Sequence, residues 1–211
     1  RLPGKVLKKH DGKNLIEHII FKLSKLESKV DIIIATSDLV RDDEIESFCK
    51  ENKIKCFRGS ENNVLQRYYF CAKQNSYEHI VRLTGDNPFI DIEELDKLIR
   101  MHIKSESDYS YSYNTLPKGV GAEVFSFDAL KKSYELGKKP NHKEHVNEYI
   151  QENKELFKTK ELKIDGVKNR PDVNLSVDTK EDFDRAVFVL KNLKHEYGDT
   201  IEAIELCSQY Q

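Results

Sequence analysis

The chain has 211 residues, of which 38% are hydrophobic and 34% are charged, so it is long enough for one full-sized domain with a single core. Its 35 Lys and Arg residues against 37 Asp and Glu give a net charge of -2, which offers no general field for a polyanion and argues against a nucleic-acid partner. No apolar run approaches the roughly 20 residues that a membrane-spanning helix requires, and no secretory signal opens the chain, so we expect a cytoplasmic protein without membrane insertion.

The first half of the sequence alternates between helical and strand patterns. Apolar residues recur at helical spacing in some segments and form short β-branched runs in others. The predicted elements, in chain order, are helix 14–26, strand 30–36, helix 41–52, strand 55–57, helix 64–74, strand 79–85 and helix 92–104. Asp42 is placed to cap the helix in 41–52, and Asp91 is placed to cap the helix 92–104. Such alternation indicates an α/β fold with a mainly parallel sheet and helices on both faces, because parallel strands need long crossover connections.

The pattern changes from Tyr109 onwards. We interpret residues 109–168 as an insertion or sheet extension. After it, predicted strands and helices alternate again. The predicted elements are strands in 107–114 and 117–127, helix 143–153, strands 157–164 and 173–178, and helices 179–193 and 200–210. We find no internal repeat, so we predict one domain spanning residues 1–211. The chain opens in a Pro-Gly loop, so we expect a first strand and the start of that loop to lie upstream.

Ligands of open parallel sheets bind beyond the carboxyl ends of the strands, which directs attention to polar residues after apolar runs. At the start of the chain, Arg1 and Lys5 flank a Pro-Gly turn whose N–H groups could form an anion-binding nest suited to a triphosphate. A surface turn with two solvated cations is the alternative interpretation.

Two aspartates follow predicted strands that are far apart in the chain. Gly85 allows a sharp turn before Asp86, and Asp178 ends a second strand directly before Thr179, which is placed to cap the next helix. Magnesium prefers one or two carboxylates together with substrate phosphates, so Asp86 and Asp178 are candidate metal ligands. A plain turn at each position is the alternative.

Other polar residues follow neighbouring strands or interrupt apolar segments. Side chains that could bind a nucleobase or ribose are Thr36, Ser37, Arg58 and Ser60, although loop composition alone also predicts such residues. Arg67 lies among apolar helix residues and Arg82 lies within a strand, so each must pair with a carboxylate or with substrate.

The sequence resembles the cytidylyltransferases of polysaccharide biosynthesis, specifically the spore-coat-polysaccharide type, which is related to CMP-sialate and CMP-3-deoxy-manno-octulosonate synthetases. The resemblance spans essentially the whole chain. The segments that carry it, in order, are RLPGKVL, IIIATSD, FRGSENNVLQRYY, VRLTGDNPFID, EVFSF, KEHVNEYI and LSVDTKEDF.

This resemblance implies a three-layer, Rossmann-like nucleotidyltransferase fold and transfer of CMP from CTP to an acidic sugar, with Mg²⁺ as cofactor. It implies that Arg1 and Lys5 hold the CTP phosphates, that Asp86 and Asp178 share the magnesium ion, and that the inserted region could form a homodimer contact.

The family resemblance also bears on Lys143, Glu144 and His145. The family usually has arginine at the position of Lys143, and the resemblance suggests that this segment lies near the sugar acceptor. Helix packing is the alternative role for His145, and zinc binding by His142 and His145 is a weaker one, because no further ligand cluster is evident.

Two other functions remain open at the level of sequence. A glycosyltransferase could use a similar sheet, but it would usually carry an Asp-x-Asp metal motif, and the residue two positions after Asp86 is Pro88. A nucleotide-binding module that has lost its chemistry is the second alternative.

Overall fold

The computed structural model of the chain describes residues 4–195 and 198–210, and within them it forms six strands and nine α-helices. The strands are β1 Ile33–Ser37, β2 Lys55–Gly59, β3 His79–Arg82, β4 Tyr109–Tyr111, β5 Glu123–Ser126 and β6 Thr159–Glu161. The helices are α1 Leu15–Leu23, α2 Asp43–Glu51, α3 Val64–Gln74, α4 Ile92–Lys104, α5 Phe127–Leu136, α6 Pro140–Glu144, α7 Glu148–Glu152, α8 Lys180–Asn192 and α9 Thr200–Gln209.

The strands pair in two groups. Strands β1 and β2 are parallel and are connected through α2, and the other four strands form a sheet in the order β3-β5-β4-β6. Strands β4 and β6 are parallel, whereas β5 runs antiparallel to both β3 and β4. The connection from β4 to β5 is a loop without a helix, so the chain returns antiparallel instead of crossing over. The region 109–168 therefore contributes three of the four strands of this sheet.

Helices cover both faces of the four-stranded sheet. Val124 and Phe125 are neighbours in β5, and both are fully buried, but they point to opposite faces because side chains alternate along a strand. Val124 packs in a core with Leu98 of α4, and Phe125 packs in another with Leu65 of α3 and Leu130 of α5. This is the three-layer α/β architecture that the sequence predicts. None of the helices in the described ranges combines the length and apolar character needed to cross a bilayer.

Side-chain caps define where several helices begin. The predicted caps at Asp91 and Thr179 are confirmed: Asp91 accepts from the N–H of Glu94, and Thr179 forms a reciprocal capping box with Asp182. The predicted cap at Asp42 is wrong, because its carboxylate makes no hydrogen bond to the start of α2 and instead binds residues at the end of β1.

Three local predictions differ from the structure. Helix α5 was not expected, although Ser126 caps it and its apolar residues repeat at helical spacing. The predicted helix 143–153 is interrupted, since His145 is extended between α6 and α7. Residues 173–178 do not form a regular strand; this extended segment makes one isolated bridge, between Asn174 and Lys118.

Candidate active site

Asp86 lies in a tight turn that follows β3, four residues beyond the end of the strand at Arg82. The N–H of Asn87 donates to the carbonyl of Thr84 over 3.2 Å, and the Asn87 side chain donates to the Thr84 hydroxyl over 2.6 Å. Gly85 packs against Val6, whose Cγ1 atom would lie 3.5 Å from a Cβ at that glycine. The turn thus holds Asp86 at the carboxyl end of the strand and next to the N-terminal segment.

Asp178 reaches the same place through the extended segment 173–178. The N–H of Val177 donates to the backbone carbonyl of Asp86 over 3.2 Å, which ties the two aspartates together through the main chain. The segment also runs past Gly119, which has φ 85°, and a Cβ there would lie 2.7 Å from the backbone nitrogen of Ser176. A glycine is therefore required both by the left-handed backbone and by the close approach.

The side chain of Lys5 joins the two carboxylates. Its Nζ lies 2.7 Å from Oδ2 of Asp86 and 3.3 Å from Oδ1 of Asp178, and it also donates to the backbone carbonyl of Val177. We call Lys5, Asp86 and Asp178 the two-aspartate site. Two carboxylates from distant parts of the chain thus converge on one positive charge.

The exposure of the three side chains differs. That of Lys5 is 14% exposed, that of Asp86 28% and that of Asp178 65%, so the ammonium lies beneath carboxylates that face solvent. A ligand can therefore reach the carboxylates from outside. Arg1, which the sequence groups with Lys5, lies outside the described residues.

At the end of β1, Thr36, Ser37 and Asp42 form what we call the Asp42 cluster. The hydroxyls of Thr36 and Ser37 donate to the same carboxylate oxygen of Asp42 over 2.7 and 2.6 Å, and both side chains are buried. Burial alone would raise the pKa of Asp42, but the hydrogen bonds from Ser37 and Thr36 outweigh it and lower that pKa below its ordinary value. Thr36 and Ser37 thus have structural partners, and their predicted contact with nucleotide stays a prediction.

Arg58 is also engaged within the protein. Its Nε donates to the carbonyl of Ser37 over 2.7 Å, and its two terminal nitrogens bind Glu46 and Asp43 over 2.6 and 2.8 Å. This geometry favours a role in joining β2 to β1 and α2, so a contact between Arg58 and nucleotide remains a prediction.

Ser60 and Arg67 line a cavity of about 560 Å³ that lies between β2 and α3. Nη1 of Arg67 donates to the carbonyl of Ser60 over 2.9 Å, while its Nε is buried and has no hydrogen-bond partner among the described residues. Burial lowers the pKa of Arg67. The lining includes neither Asp86 nor Asp178, so this cavity is separate from the two-aspartate site.

Arg82 belongs to a polar network that sequence analysis missed. Its Nη1 binds the buried carboxylate of Glu123 over 2.6 Å, and the other oxygen of Glu123 accepts from the hydroxyl of Tyr109. Burial and the adjacent Glu123 carboxylate raise the pKa of Tyr109 far above its ordinary value. The network extends to the hydroxyl of Tyr113, 3.2 Å from that of Tyr109, and to the side chain of Asn147.

Two signals in the sequence pointed to this network. Tyrosines alternate with other residues at positions 109, 111 and 113, a pattern that predicts Tyr109 and Tyr113 on the same side, and Glu123 stands in an otherwise apolar run. A buried carboxylate needs a partner, and Arg82 was the internal arginine available to it. The structure thus gives Arg82 the carboxylate partner that was one of its two predicted roles.

A family model described as cytidylyltransferase matches residues 1–205. The chain belongs to the cytidylyltransferase family. It is 34% identical to the spore coat polysaccharide biosynthesis protein SpsF of Bacillus subtilis over 189 residues, which is 87% of this chain and 78% of that protein.

Two further comparisons extend this assignment. The chain is 28% identical to a 3-deoxy-manno-octulosonate cytidylyltransferase of Elusimicrobium minutum over 109 residues, which is 51% of this chain and 42% of that protein. Its structure matches that of a cytidylyltransferase from Leptospira borgpetersenii with a TM-score of 0.91 and 27% identity, covering 99% of this chain and 89% of the other. The family resemblance and the nucleotidyltransferase fold inferred from sequence are thereby confirmed.

Lys143, Glu144 and His145 of this cytidylyltransferase lie at the end of α6 and are exposed. They precede Asn147, which donates to the hydroxyl of Tyr109 over 3.2 Å, so the turn between α6 and α7 borders the polar network. Contact between Lys143, Glu144 or His145 and a substrate stays a prediction.

The zinc alternative gains no support from the structure. His142 is buried, and its Nε2 lies 3.0 Å from a carboxylate oxygen of Glu152, whereas His145 is exposed. Within the described ranges, the one group of three potential metal ligands is formed by Asp91, Glu93 and Glu94. The ammonium of Lys168 lies 3.0 to 3.3 Å from all three carboxylates and neutralises part of their charge.

Proposed function

We propose that this cytidylyltransferase transfers CMP from CTP to an acidic sugar with release of pyrophosphate, in a magnesium-dependent reaction that serves surface polysaccharide or glycan synthesis. The observation that carries the proposal is the convergence of Asp86 and Asp178 on a single cation, the ammonium of Lys5. The similarity to SpsF and to a 3-deoxy-manno-octulosonate cytidylyltransferase supports the polysaccharide context and the acidic acceptor.

The two-aspartate site has the chemistry that magnesium requires. Mg²⁺ is bound by hard oxygen donors, commonly one or two carboxylates that leave the remaining positions to water and substrate phosphates. Asp86 and Asp178 supply two such carboxylates, and both side chains are open to solvent. The position of the Lys5 ammonium indicates that a cation is stabilised between them. Asp86 and Asp178 would hold the ion.

When bound there, the ion would offset the negative charge that builds on the transferring phosphoryl group. Lys5 and Arg1 would hold the pyrophosphate as it leaves, because cations placed at developing charge stabilise the transition state. An acceptor oxygen would attack the α-phosphorus of CTP in line with the leaving group, so the bond to pyrophosphate breaks as the bond to the acceptor forms. No covalent enzyme intermediate is required.

The polar network and the turn after α6 are candidates for the acceptor side. Tyr113 and Asn147 are partly exposed and offer a hydroxyl and an amide group of the kind that recognise sugar hydroxyls, whereas Tyr109 is fully buried. Lys143 adds a positive charge at the border of the network, which suits an acidic sugar. Arg82, already paired with Glu123, would position the network instead of binding the acceptor carboxylate by itself.

Incubation of the protein with labelled CTP and Mg²⁺ tests the proposal. The candidate acceptors are a keto-deoxy sugar acid, an amino sugar acid and a sugar phosphate, and the products to be measured are pyrophosphate and the CMP-sugar. We expect acceptor-dependent pyrophosphate release with one of the sugar acids. Glycosyl transfer from a nucleotide sugar without pyrophosphate release would instead identify a glycosyltransferase, and calorimetric CTP binding without turnover would identify an inactive nucleotide-binding module.

A further inference from the structure

The ammonium of Lys5 occupies the position that a divalent cation would need. Its three oxygen partners are a carboxylate oxygen of Asp86, a carboxylate oxygen of Asp178 and the backbone carbonyl of Val177. All three are the hard oxygen donors that a divalent cation such as magnesium or manganese also takes. The same oxygens cannot serve an ammonium and a metal ion at once.

We propose that Lys5 is an intramolecular competitor of the divalent cation, with its ammonium held between Asp86 and Asp178 until a triphosphate draws it away. The proposal rests on the proposed function, because the competing ion is the one that the reaction would use. It assigns Lys5 a second position, between the carboxylates, in addition to the phosphate contact that the family resemblance implies.

Electrostatics makes the two occupants mutually exclusive. Asp86 and Asp178 together carry two negative charges, of which Lys5 neutralises one in a side chain that is only 14% exposed. A divalent ion bound to the same oxygens would lie within a few ångströms of the ammonium, where repulsion between like charges is strong and poorly screened. The lysine must therefore leave before the ion can bind tightly.

The local structure allows the side chain to leave while the backbone stays in place. Lys5 begins a one-turn 3₁₀ helix, Lys5–Leu7, that contains no buried residue and follows Gly4 with φ 66°. Val6 packs against Gly85, and the ammonium of Lys8 lies 4.5 Å from the centre of the Phe183 ring, so the segment is fixed on both sides of Lys5. A lysine stem has four rotatable bonds, which permits its charge to move from the carboxylates to a nearby phosphate.

This competition couples metal binding to nucleotide binding. Without a triphosphate, the carboxylates are partly neutralised and attract a metal ion weakly. When phosphates provide Lys5 with a new partner, both carboxylates become available, and linkage requires that bound metal in turn favours the released lysine. Metal and triphosphate would then bind together, which prevents unproductive occupation of the site by either alone.

Binding of Mn²⁺ to the nucleotide-free protein, followed by electron paramagnetic resonance of the free ion, tests the proposal. Lys5→Met removes the charge and keeps the length of the side chain, so we expect Mn²⁺ to bind about tenfold more tightly than to the wild type, within the usual range of coupling between sites. Lys5→Gln should behave in the same way and provides a second variant if the first folds poorly. Lys9→Met is the matched control, because Lys9 is an exposed lysine of the same segment, and it should bind Mn²⁺ like the wild type.

A third variant tests whether the additional Mn²⁺ binds at the two-aspartate site. Asp86→Asn in the Lys5→Met background should abolish the additional Mn²⁺ affinity. Mn²⁺ binding to both Lys5 variants that is no tighter than to the wild type, including no measurable binding, would overturn the proposal. The assay uses no CTP, so a failure of this proposal can be distinguished from a failure of the proposed function. Tight Mn²⁺ binding by Lys5→Met with no cytidylyl transfer by the wild type would contradict the function alone. Cytidylyl transfer by the wild type with no gain of Mn²⁺ affinity in the Lys5 variants would contradict only the role of Lys5.

Discussion

Two groups of polar residues follow strands of this protein, and their hydrogen-bonding partners distinguish them. In the Asp42 cluster, Thr36 and Ser37 are buried and donate to a fixed carboxylate a few residues away. In the two-aspartate site, the carboxylates face solvent and share a lysine from the other end of the chain. The first arrangement stabilises a turn, whereas the second keeps charges available to a ligand. A polar residue after a strand is therefore a candidate for function only when its partner can be exchanged.

The largest expected effect is on catalysis by the two-aspartate site. Asp86→Ala should lower kcat for CTP-dependent pyrophosphate release by about 10²–10³-fold, which is the usual result of removing one electrostatic stabiliser of a transition state. The free energy of unfolding should stay close to that of the wild type. Asp172→Ala is the control, because Asp172 is an exposed aspartate that pairs with Arg170. Similar kcat values for Asp86→Ala and Asp172→Ala would show that the two-aspartate site contributes no more to catalysis than an exposed aspartate elsewhere.

The next effect concerns the placement of Asp178. Gly119→Ala forces a left-handed alanine against the backbone of Ser176, whereas Gly166→Ala is also left-handed, with φ 75°, but has open space around its Cβ. We expect Gly166→Ala to reduce the free energy of unfolding by about 1 kcal/mol and Gly119→Ala by about 1–3 kcal/mol more. Urea denaturation measures both, and Gly119→Ala should also lose activity. Equal stabilities would show that the segment 173–178 is not held by this contact.

The third effect is on stability through the Asp42 cluster. Asp42→Ala leaves two buried hydroxyls without their acceptor, and we expect a loss of about 2 kcal/mol in the free energy of unfolding. Asp178→Ala should change this free energy by less than about 0.5 kcal/mol, because that side chain is mostly exposed. Urea denaturation of both variants makes the comparison. A larger loss of unfolding free energy for Asp178→Ala than for Asp42→Ala would contradict the structural role that we assign to Asp42.

The smallest expected effect is a change with pH in the contribution of Asp42 to the free energy of unfolding. The pKa of Asp42 is lower in the folded protein than the ordinary value of 3.8, so its carboxylate contributes stability that is complete above the unfolded pKa and is lost as the pH falls below it. The difference in unfolding free energy between the wild type and Asp42→Asn should therefore narrow as the pH falls through this window. A difference that widens towards acid pH would contradict the assignment.

Local patterns in the sequence predicted most of the fold. The bounds of α3 and α4 agree with the prediction, since helical spacing of apolar residues marks both helices and Asp91 caps the second. The irregular course of the segment 173–178 could not be predicted, because its backbone bonds to Lys118 and Asp86, which are distant in the sequence. The interruption at His145 has no local signal in the sequence either. The antiparallel direction of β5 depends on a loop path that periodicity does not describe.

The candidate site could also be predicted only in part, because local patterns are visible in the sequence and distant contacts are not. Asp86 and Asp178 could be grouped because each follows an apolar strand-like run, which is a local signal. The carboxylate partners of Arg58 could not be predicted, since they lie 12 and 15 residues away on a different element. For Arg82 the sequence offered one signal, the charged Glu123 within an apolar run, but only the fold shows that the two pair. Sequence therefore identifies polar residues that need a partner, and only the fold determines whether that partner is internal.

A crystal structure of the protein with CTP and Mn²⁺ tests the central claim most directly, because manganese can be located by its anomalous scattering. We predict one manganese ion bound by the carboxylates of Asp86 and Asp178, with the ammonium of Lys5 moved onto a phosphate. Manganese at another position, with Lys5 still between the two aspartates while CTP is bound, would contradict it.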